Sequence, residues 1–240
     1  MVRREQGAQW ELTKLDTKAE GYYLGTRHEM LRFIPEGVDT VLEVGCAAGG
    51  FGLQLKQRGI REVWGVEVVE SAGQQARKVL DKVLIGDIAD LIDELPVNYF
   101  DVVVFNDVLE HLVDPFTVLT RIKSRISERG MVVSSIPNIR YYHTLTELVL
   151  HKNWEYMESG ILDRTHLRFF TTLSIRSMYE RLGYTVLRHE GNNPMKNRPM
   201  SYRLVNLLLH GGISDTQYEQ FVTWARPIVA ASRTQPAGPA

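Results

Sequence analysis

The sequence predicts an α/β fold: a doubly wound, mostly parallel sheet of seven strands whose last strand runs antiparallel, with a helical lid inserted late in the chain. Three observations predict it. Between residues 40 and 136, short continuous runs of Val, Ile and Leu alternate with helix-like stretches, as expected for parallel strands buried on both faces. The first of these runs passes straight into a glycine-rich turn, VLEVGCAAGG over residues 41–50. Beyond residue 136 the rhythm changes to an aromatic, histidine-rich stretch, and only later do two more strand-like segments appear.

In chain order, residues 22–33 read as a helix stopped at Ile34-Pro35, because proline disfavours helix in the residue before it. Strands are expected at 40–44, 62–66, 82–85, 100–105 and 130–136, with helices at 50–58, 71–79 and 115–127 between them. Residues 138–170 read as the helical insertion or lid. A helix over 172–182 follows, with Gly183 as its left-handed stop. Then come a strand at 184–189, a polar loop at 191–199, a short amphipathic helix at 201–210 and the antiparallel strand at 218–229. The expected division is an N-terminal helical cap (1–37), a main domain (38–232) carrying the lid, and a disordered tail (233–240).

At 240 residues the chain can bury one sizeable core and falls short of two. Charged residues make up 24% and hydrophobic ones 44%, and Lys+Arg 28 against Asp+Glu 29 leaves a net charge of −1. Those are the proportions of a soluble globular protein without a basic face, so a nucleic-acid partner is not expected. The single cysteine, Cys46, rules out an intramolecular disulfide or a multi-cysteine metal cluster and fits a reducing compartment. The first residues lack an apolar run, and no stretch approaches the roughly 18 apolar residues of a membrane span. A cytoplasmic protein is therefore expected.

A helix N-terminus bearing glycines lets backbone N–H groups approach a ligand, and Gly45 and Gly49 supply that approach directly after a strand. An ordinary tight turn would look the same, but the turn has two companions. Glu67 ends the second strand, where a carboxylate can accept from both hydroxyls of a ribose. Asp87 follows the third strand, where it could accept from an adenine amino group. Taken together, these features resemble the Rossmann-like class I S-adenosylmethionine-dependent methyltransferases, whose first motif is an acid followed by spaced glycines. Here it reads Glu43-Val-Gly45-Cys-Ala47-Ala-Gly49. Ala47 replaces the middle glycine, a change that costs little if its φ is negative.

The resemblance runs roughly from Tyr22 to Tyr184 and implies S-adenosylmethionine as cofactor. It places the cofactor on the turn from Glu43 through Gly45, Cys46, Ala47 and Gly49, its ribose at Glu67 and Val68, its adenine at Asp87 and Ile88, and its methionine portion beside Asn106. Tyr22 and Arg27 lie in a segment that resembles the entry of bacterial small-molecule and glycan methyltransferases. They would cap the cofactor carboxylate, for which a guanidinium is suited by charge and shape. Each residue also has an ordinary alternative: Glu67 as a surface acid, Asp87 as a helix N-cap, Ile88 as plain core, Asn106 as a turn former.

Methyl transfer from a sulfonium needs an aligned nucleophile and usually the removal of its proton. Asp107 and His111 stand four apart after strand four, on one face if that segment is helical, which makes His111 a candidate base. Glu110 is expected to face away, and no metal site is expected. A second constellation, Asp163, Arg164, His166 and Arg168, lies in a segment that resembles the acceptor border of sugar, glycan and quinone methyltransferases. These groups cannot all be buried without pairing, so they pair with one another or meet a polar acceptor. His166 ranks just ahead of His111 as the proton acceptor. Tyr141, Tyr142, His143, Trp154 and Tyr156 make an aromatic wall that suits a sugar ring or an aromatic acceptor, and equally an ordinary lid core.

The expected activity is O-methylation of a hydroxyl on a sugar, glycan or other polar small molecule. One rival is an NAD(P)-dependent oxidoreductase, since Gly45-x-Ala47-x-x-Gly50 partly fits the dinucleotide fingerprint. Asp87 and the lid favour methyl transfer over it. The other rival is a scaffold subunit that keeps the fold and cofactor without catalysis.

Overall fold

The computed structural model describes residues 26–228; Tyr22, most of the expected N-terminal cap and the expected disordered tail lie outside the described residues. Seven strands form one sheet: β1 (Thr40–Val44), β2 (Glu62–Glu67), β3 (Lys82–Ile85), β4 (Phe100–Asn106), β5 (Ile126–Pro137), β6 (Tyr184–Pro194) and β7 (Tyr218–Pro227). Their order is β3-β2-β1-β4-β5-β7-β6. Strands β1 to β5 run parallel, and β7 is antiparallel to both of its neighbours. The chain winds outward from β1 through β2 to β3, then crosses back to β4 on the other side of β1. That reversal leaves a crevice beyond the carboxyl ends of β1 and β4, the place where open α/β sheets take ligands.

The helices are α1 (Gly50–Gln57), α2 (Glu70–Ala76), α3 (Ile88–Leu91), α4 (Pro115–Ile122), α5 (Tyr142–Val149), α6 (Thr172–Arg181) and α7 (Met200–Leu208). Two core layers follow from strand alternation. Leu42, Val44, Val103 and Phe105 pack with Leu119 of α4 and Tyr179 of α6, while Val41, Val63, Val102 and Val104 pack with Phe51 and Leu55 of α1. All of β1 is buried, so Glu43, of the same parity as Val41, is carried into the interior. Start signals are local: Asp114 caps α4 by accepting from Thr117 N, with Pro115 in the first turn, and Thr171 and Ser174 form a capping box on α6. No described helix is long and apolar enough to cross a membrane.

Four segments differ from the sequence expectation. The described part of the first helix, His28–Phe33, is a 3-10 helix. The helix expected over 115–127 ends at Ile122, passes through a 3-10 turn at Lys123–Arg125 and gives way to β5 at Ile126. The loop expected from 191 is strand as far as Pro194, because its backbone pairs with β7 at Asn192↔Gln220 and Pro194↔Tyr218. The lid is helical only over Tyr142–Val149, and the rest is turns. Its root is fixed by the buried Asn138, whose Nδ2 donates to Asp215 O at 3.0 Å and Tyr218 O at 3.1 Å, and by Arg140 paired with Asp215 at 2.7 Å. Its far end is fixed where Leu167 N and Arg168 N donate to Glu110 O at 2.9 and 3.2 Å.

Candidate active site

A cavity of about 700 Å³ opens over the carboxyl ends of β1, β2 and β4 and runs beneath the lid. Gly45, Cys46, Ala47, Glu67, Val68, Asp87, Ile88 and Asn106 all line it. Gly45 has φ +72 and lies so close to Val108 that a Cβ would meet its Cγ2 at 2.6 Å; only glycine fits there. Ala47 has φ 49, so the condition for a cheap replacement of glycine is not met and the alanine carries left-handed strain of about 1–2 kcal/mol. Its N–H donates to Glu67 Oε2 at 2.7 Å, and such a charge-assisted bond offsets strain of that size. Gly49, with φ +84, is the N-cap of α1 and packs against Ala76 and Val79. It shapes the turn but does not line the cavity.

Glu67 is no surface acid. It is 5% exposed, accepts from Ala47 N and from Val69 N at 2.9 Å, and burial raises its pKa. Asp87 accepts from Ala89 N at 2.8 Å as the N-cap of α3, and it also lines the cavity. At the end of β4, Asn106 Nδ2 and Oδ1 are buried and make no short hydrogen bond among the described residues; the Glu43 carboxyl is the neighbour whose charge this amide favours. A buried amide held so loosely can turn to a polar ligand. Glu43 is held at a pKa of about 8, chiefly by burial and further by Glu67, against the opposing Gly52 N–H. These residues fit the expected cofactor: the carboxylates of Glu67 and Asp87 line the cavity as acceptors, and the Asn106 amide borders the same space.

Arg27 reaches the cavity from the opposite wall, but its guanidinium is committed. It pairs with Asp107 and donates to Ser135 Oγ at 3.0 Å and Gln220 Oε1 at 3.3 Å. Burial opposes its charge most strongly, yet Asp107, Glu29 and Glu110 together outweigh burial and hold the pKa above the ordinary value. Asp107 also accepts from Ser135 Oγ and from Gln220 Nε2, each at 2.6 Å. The Asp107–His111 segment is a turn with Asp107 at φ 53, so the expected shared helix face does not exist. Asp107 looks toward β5 and β7, whereas His111 looks toward the lid.

At the lid end, His111 and His166 pack edge to face with ring centroids 4.6 Å apart. His111 Nδ1 lies 3.1 Å from Thr165 O and His166 Nδ1 lies 2.9 Å from Ile161 O. A carbonyl can only accept, so both Nδ1 atoms donate and each neutral ring carries its lone pair on Nε2. Glu110, expected to face away, is 1% exposed beside them, with Oε1 3.9 Å from His166 Nε2. Burial, with Asp107 next in weight, pushes its carboxyl well above the usual range. Asp163 is buried and accepts from Thr165 N and Oγ at 2.9 and 2.7 Å, which shapes the turn that carries His166.

Among the expected acceptor residues, Asp107, Tyr141 and Asp163 line the cavity with both histidines. Tyr142, Arg164 and Arg168 do not. Tyr142 turns to Tyr202, with centroids 5.5 Å apart. Arg164 is exposed and pairs with Glu158. Arg168 donates to Val113 O and lies over Phe116. Trp154 and Tyr156 are exposed and pack on Phe169, so the aromatic wall is an outer surface there. Sequence reasoning turned Glu110 the wrong way and missed Gln220, Glu147 and Glu219, which line the cavity. No local signal singled them out, because each acquires its place from an element distant in sequence.

A family model described as a methyltransferase domain matches residues 16–189. The chain belongs to the methyltransferase domain family. That membership decides against the nicotinamide oxidoreductase alternative. Comparison with curated proteins gives no match. Among solved structures, the chain is similar to a SAM-dependent methyltransferase from Archaeoglobus fulgidus, with 20% identity, TM-score 0.64 and coverage of 86% of this chain and 94% of that one. It is also similar to a Thermotoga maritima SAM-dependent methyltransferase described as a possible histamine N-methyltransferase, with 17% identity, TM-score 0.59 and coverage of 95% and 96%. A third is a Mesorhizobium loti S-adenosylmethionine-dependent methyltransferase, with 16% identity, TM-score 0.57 and coverage of 82% and 95%. At these identities the likeness is one of fold.

Proposed function

We propose that the protein transfers the methyl group of S-adenosylmethionine to a hydroxyl of a sugar-containing or other polar small molecule. One observation carries the reading: a single cavity joins Glu67, Asp87 and Asn106 at one end to His111 and His166 at the other. The cofactor supplies an electrophilic methyl, so that an O–CH3 bond forms as the S–CH3 bond breaks and its electron pair stays on sulfur, releasing S-adenosylhomocysteine. Glu67 holds the ribose, Asp87 and Ile88 border the adenine, and Arg27 with Asp107 fixes the wall beside the methionine portion. An alcohol needs a base more than an amine does. His166, with its Nδ1 anchored on Ile161 O, offers Nε2 to the leaving hydroxyl proton, and His111 stands in edge contact behind it. Tyr141, His143 and Glu147 border the same end and suit a polar acceptor ring.

The test is transfer of labelled methyl to nucleotide sugars, glycans and small phenols, followed by identification of the methylated atom. Hydroxyl methylation is expected, with His166→Ala lowering turnover about 10²–10⁴-fold while S-adenosylhomocysteine still binds. Turnover confined to an amine, as described for the Thermotoga maritima structure, or to a carboxylate would overturn the reading. Cofactor binding with no transfer to any acceptor would favour the scaffold.

A further inference from the structure

The lid end of the cavity holds more ligating chemistry than proton removal requires. Glu110 is almost wholly buried, and neither carboxylate oxygen has a hydrogen-bond partner among the described residues. A buried carboxylate without hydrogen bonds is costly unless it takes up a proton or a cation compensates it, and a cation would compete with that proton. Independently, both histidines direct Nδ1–H at a backbone carbonyl, Thr165 O for His111 and Ile161 O for His166. That anchoring fixes tautomer and ring orientation in metal-ligating histidines and leaves Nε2 as the donor atom. One donor atom from each of Glu110, His111 and His166 lies within 4.8 Å of the others.

We infer that Glu110, His111 and His166 bind a divalent cation of the zinc or first-row transition type at the acceptor end of the cavity. Two imidazoles and one carboxylate favour such ions over magnesium, which prefers an all-oxygen shell. A cation at about 2.0–2.2 Å from each donor needs those donors about 3–4 Å apart. The Glu110–His166 separation of 3.9 Å is already there, and small side-chain rotations close the rest. Asp107 is outside the set, because Arg27, Ser135 and Gln220 occupy its oxygens. Three protein ligands leave at least one position open to the cavity, where an acceptor hydroxyl can coordinate. Coordination lowers the pKa of that hydroxyl; with the cation bound both Nε2 atoms are ligands, so the proton leaves to water and the cation takes over the task that the metal-free site gives to His166. Cation binding stands apart from hydroxyl methylation; only this activating role rests on that reading.

The test is calorimetric titration of the chelator-stripped full chain with zinc, cobalt(II) and magnesium, together with the visible spectrum of the cobalt form. One zinc or cobalt per chain is expected, with a cobalt spectrum of nitrogen–oxygen ligation and weaker magnesium binding. Glu110→Gln and His111→Ala should each weaken zinc binding at least about tenfold, while Arg164→Ala leaves it unchanged. S-adenosylhomocysteine binding by the same samples reports that each variant is folded, and if the Glu110 variant fails that check, His111→Ala and the cobalt spectrum decide. Absence of stoichiometric zinc or cobalt, or zinc affinity unchanged in the folded variants, overturns the inference. Stoichiometric zinc without transfer to any hydroxyl upholds the cation site and rejects the acceptor reading; hydroxyl transfer by a chain that binds no cation does the reverse.

Discussion

The two ends of the cavity are built by different means. The end proposed to hold the cofactor consists of strand ends: Gly45, Glu67 and Asn106 each close a strand or follow one directly, and parallel pairing between β1, β2 and β4 sets their spacing. The acceptor end consists of a turn and an irregular insertion, brought together by Leu167 N and Arg168 N on Glu110 O and by Thr165 on His111. A ligand site on strand ends inherits the rigidity of the sheet. A site on an insertion can change its contents without disturbing that sheet. The difference locates generic chemistry at one end and specificity at the other.

The sharpest way to break the comparison is at Glu43, the carboxyl carried into the interior by β1. Its pKa is about 8 in the folded chain against 4.5 for an ordinary glutamate. Between those values the native state keeps a proton that the unfolded chain has lost, so the stability it contributes is present below about pH 4.5 and lost as pH rises toward 8. Glu43→Gln removes this dependence. In urea unfolding between pH 5 and pH 8, the stability of the variant relative to the native chain should rise by on the order of 3–4 kcal/mol. A pH-independent difference would mean that Glu43 is ionised when folded, and that the strand end is less closed than its burial implies.

The second effect concerns affinity. Glu67→Ala deletes a charged acceptor and strands the N–H groups of Ala47 and Val69. S-adenosylhomocysteine affinity should fall about 100-fold, whereas His166→Ala should leave it within about threefold, since additivity holds for sites without shared partners. Calorimetry on both variants measures the contrast. Comparable losses would mean that the two ends act as one unit.

This division also explains what was legible in the sequence. Apolar runs marked all seven strands, the rule that ligands sit beyond carboxyl ends pointed to Glu67 and Asp87 without any knowledge of side-chain direction, and the family resemblance added Asn106. The insertion has no period from which direction can be read. Tyr142, Arg164 and Arg168 therefore looked as eligible as Tyr141, Asp163 and His166, and only the anchoring of the lid at Asn138 and Glu110 separates them. Glu110 was misjudged for the same reason: a helical phase was assumed where Asp107, at φ 53, turns the chain instead. Strand β6 outran its expected end because pairing with β7, not the propensity of Asn192 and Asn193, decides its length.

Ala47 gives the smallest effect and tests the turn itself. A negative φ would make Ala47→Val nearly neutral and Ala47→Gly destabilising, because glycine adds freedom to the unfolded chain. The observed φ of 49 reverses the order. Glycine loses the left-handed strain and gives back about 0.4–1 kcal/mol through the unfolded state, leaving stability nearly unchanged. Valine, branched at Cβ, is a poor occupant of that region and should cost about 1–2 kcal/mol, read as a lower midpoint in thermal or urea unfolding. Ligand binding separates strain from function. Because Ala47 N is held by Glu67 Oε2, a turn pushed out of the left-handed region also shifts the carboxylate proposed to hold the ribose, so valine should weaken S-adenosylhomocysteine binding where glycine does not. Equal affinity in the two variants would show that the turn holds its ligand through Gly45 and Cys46 alone.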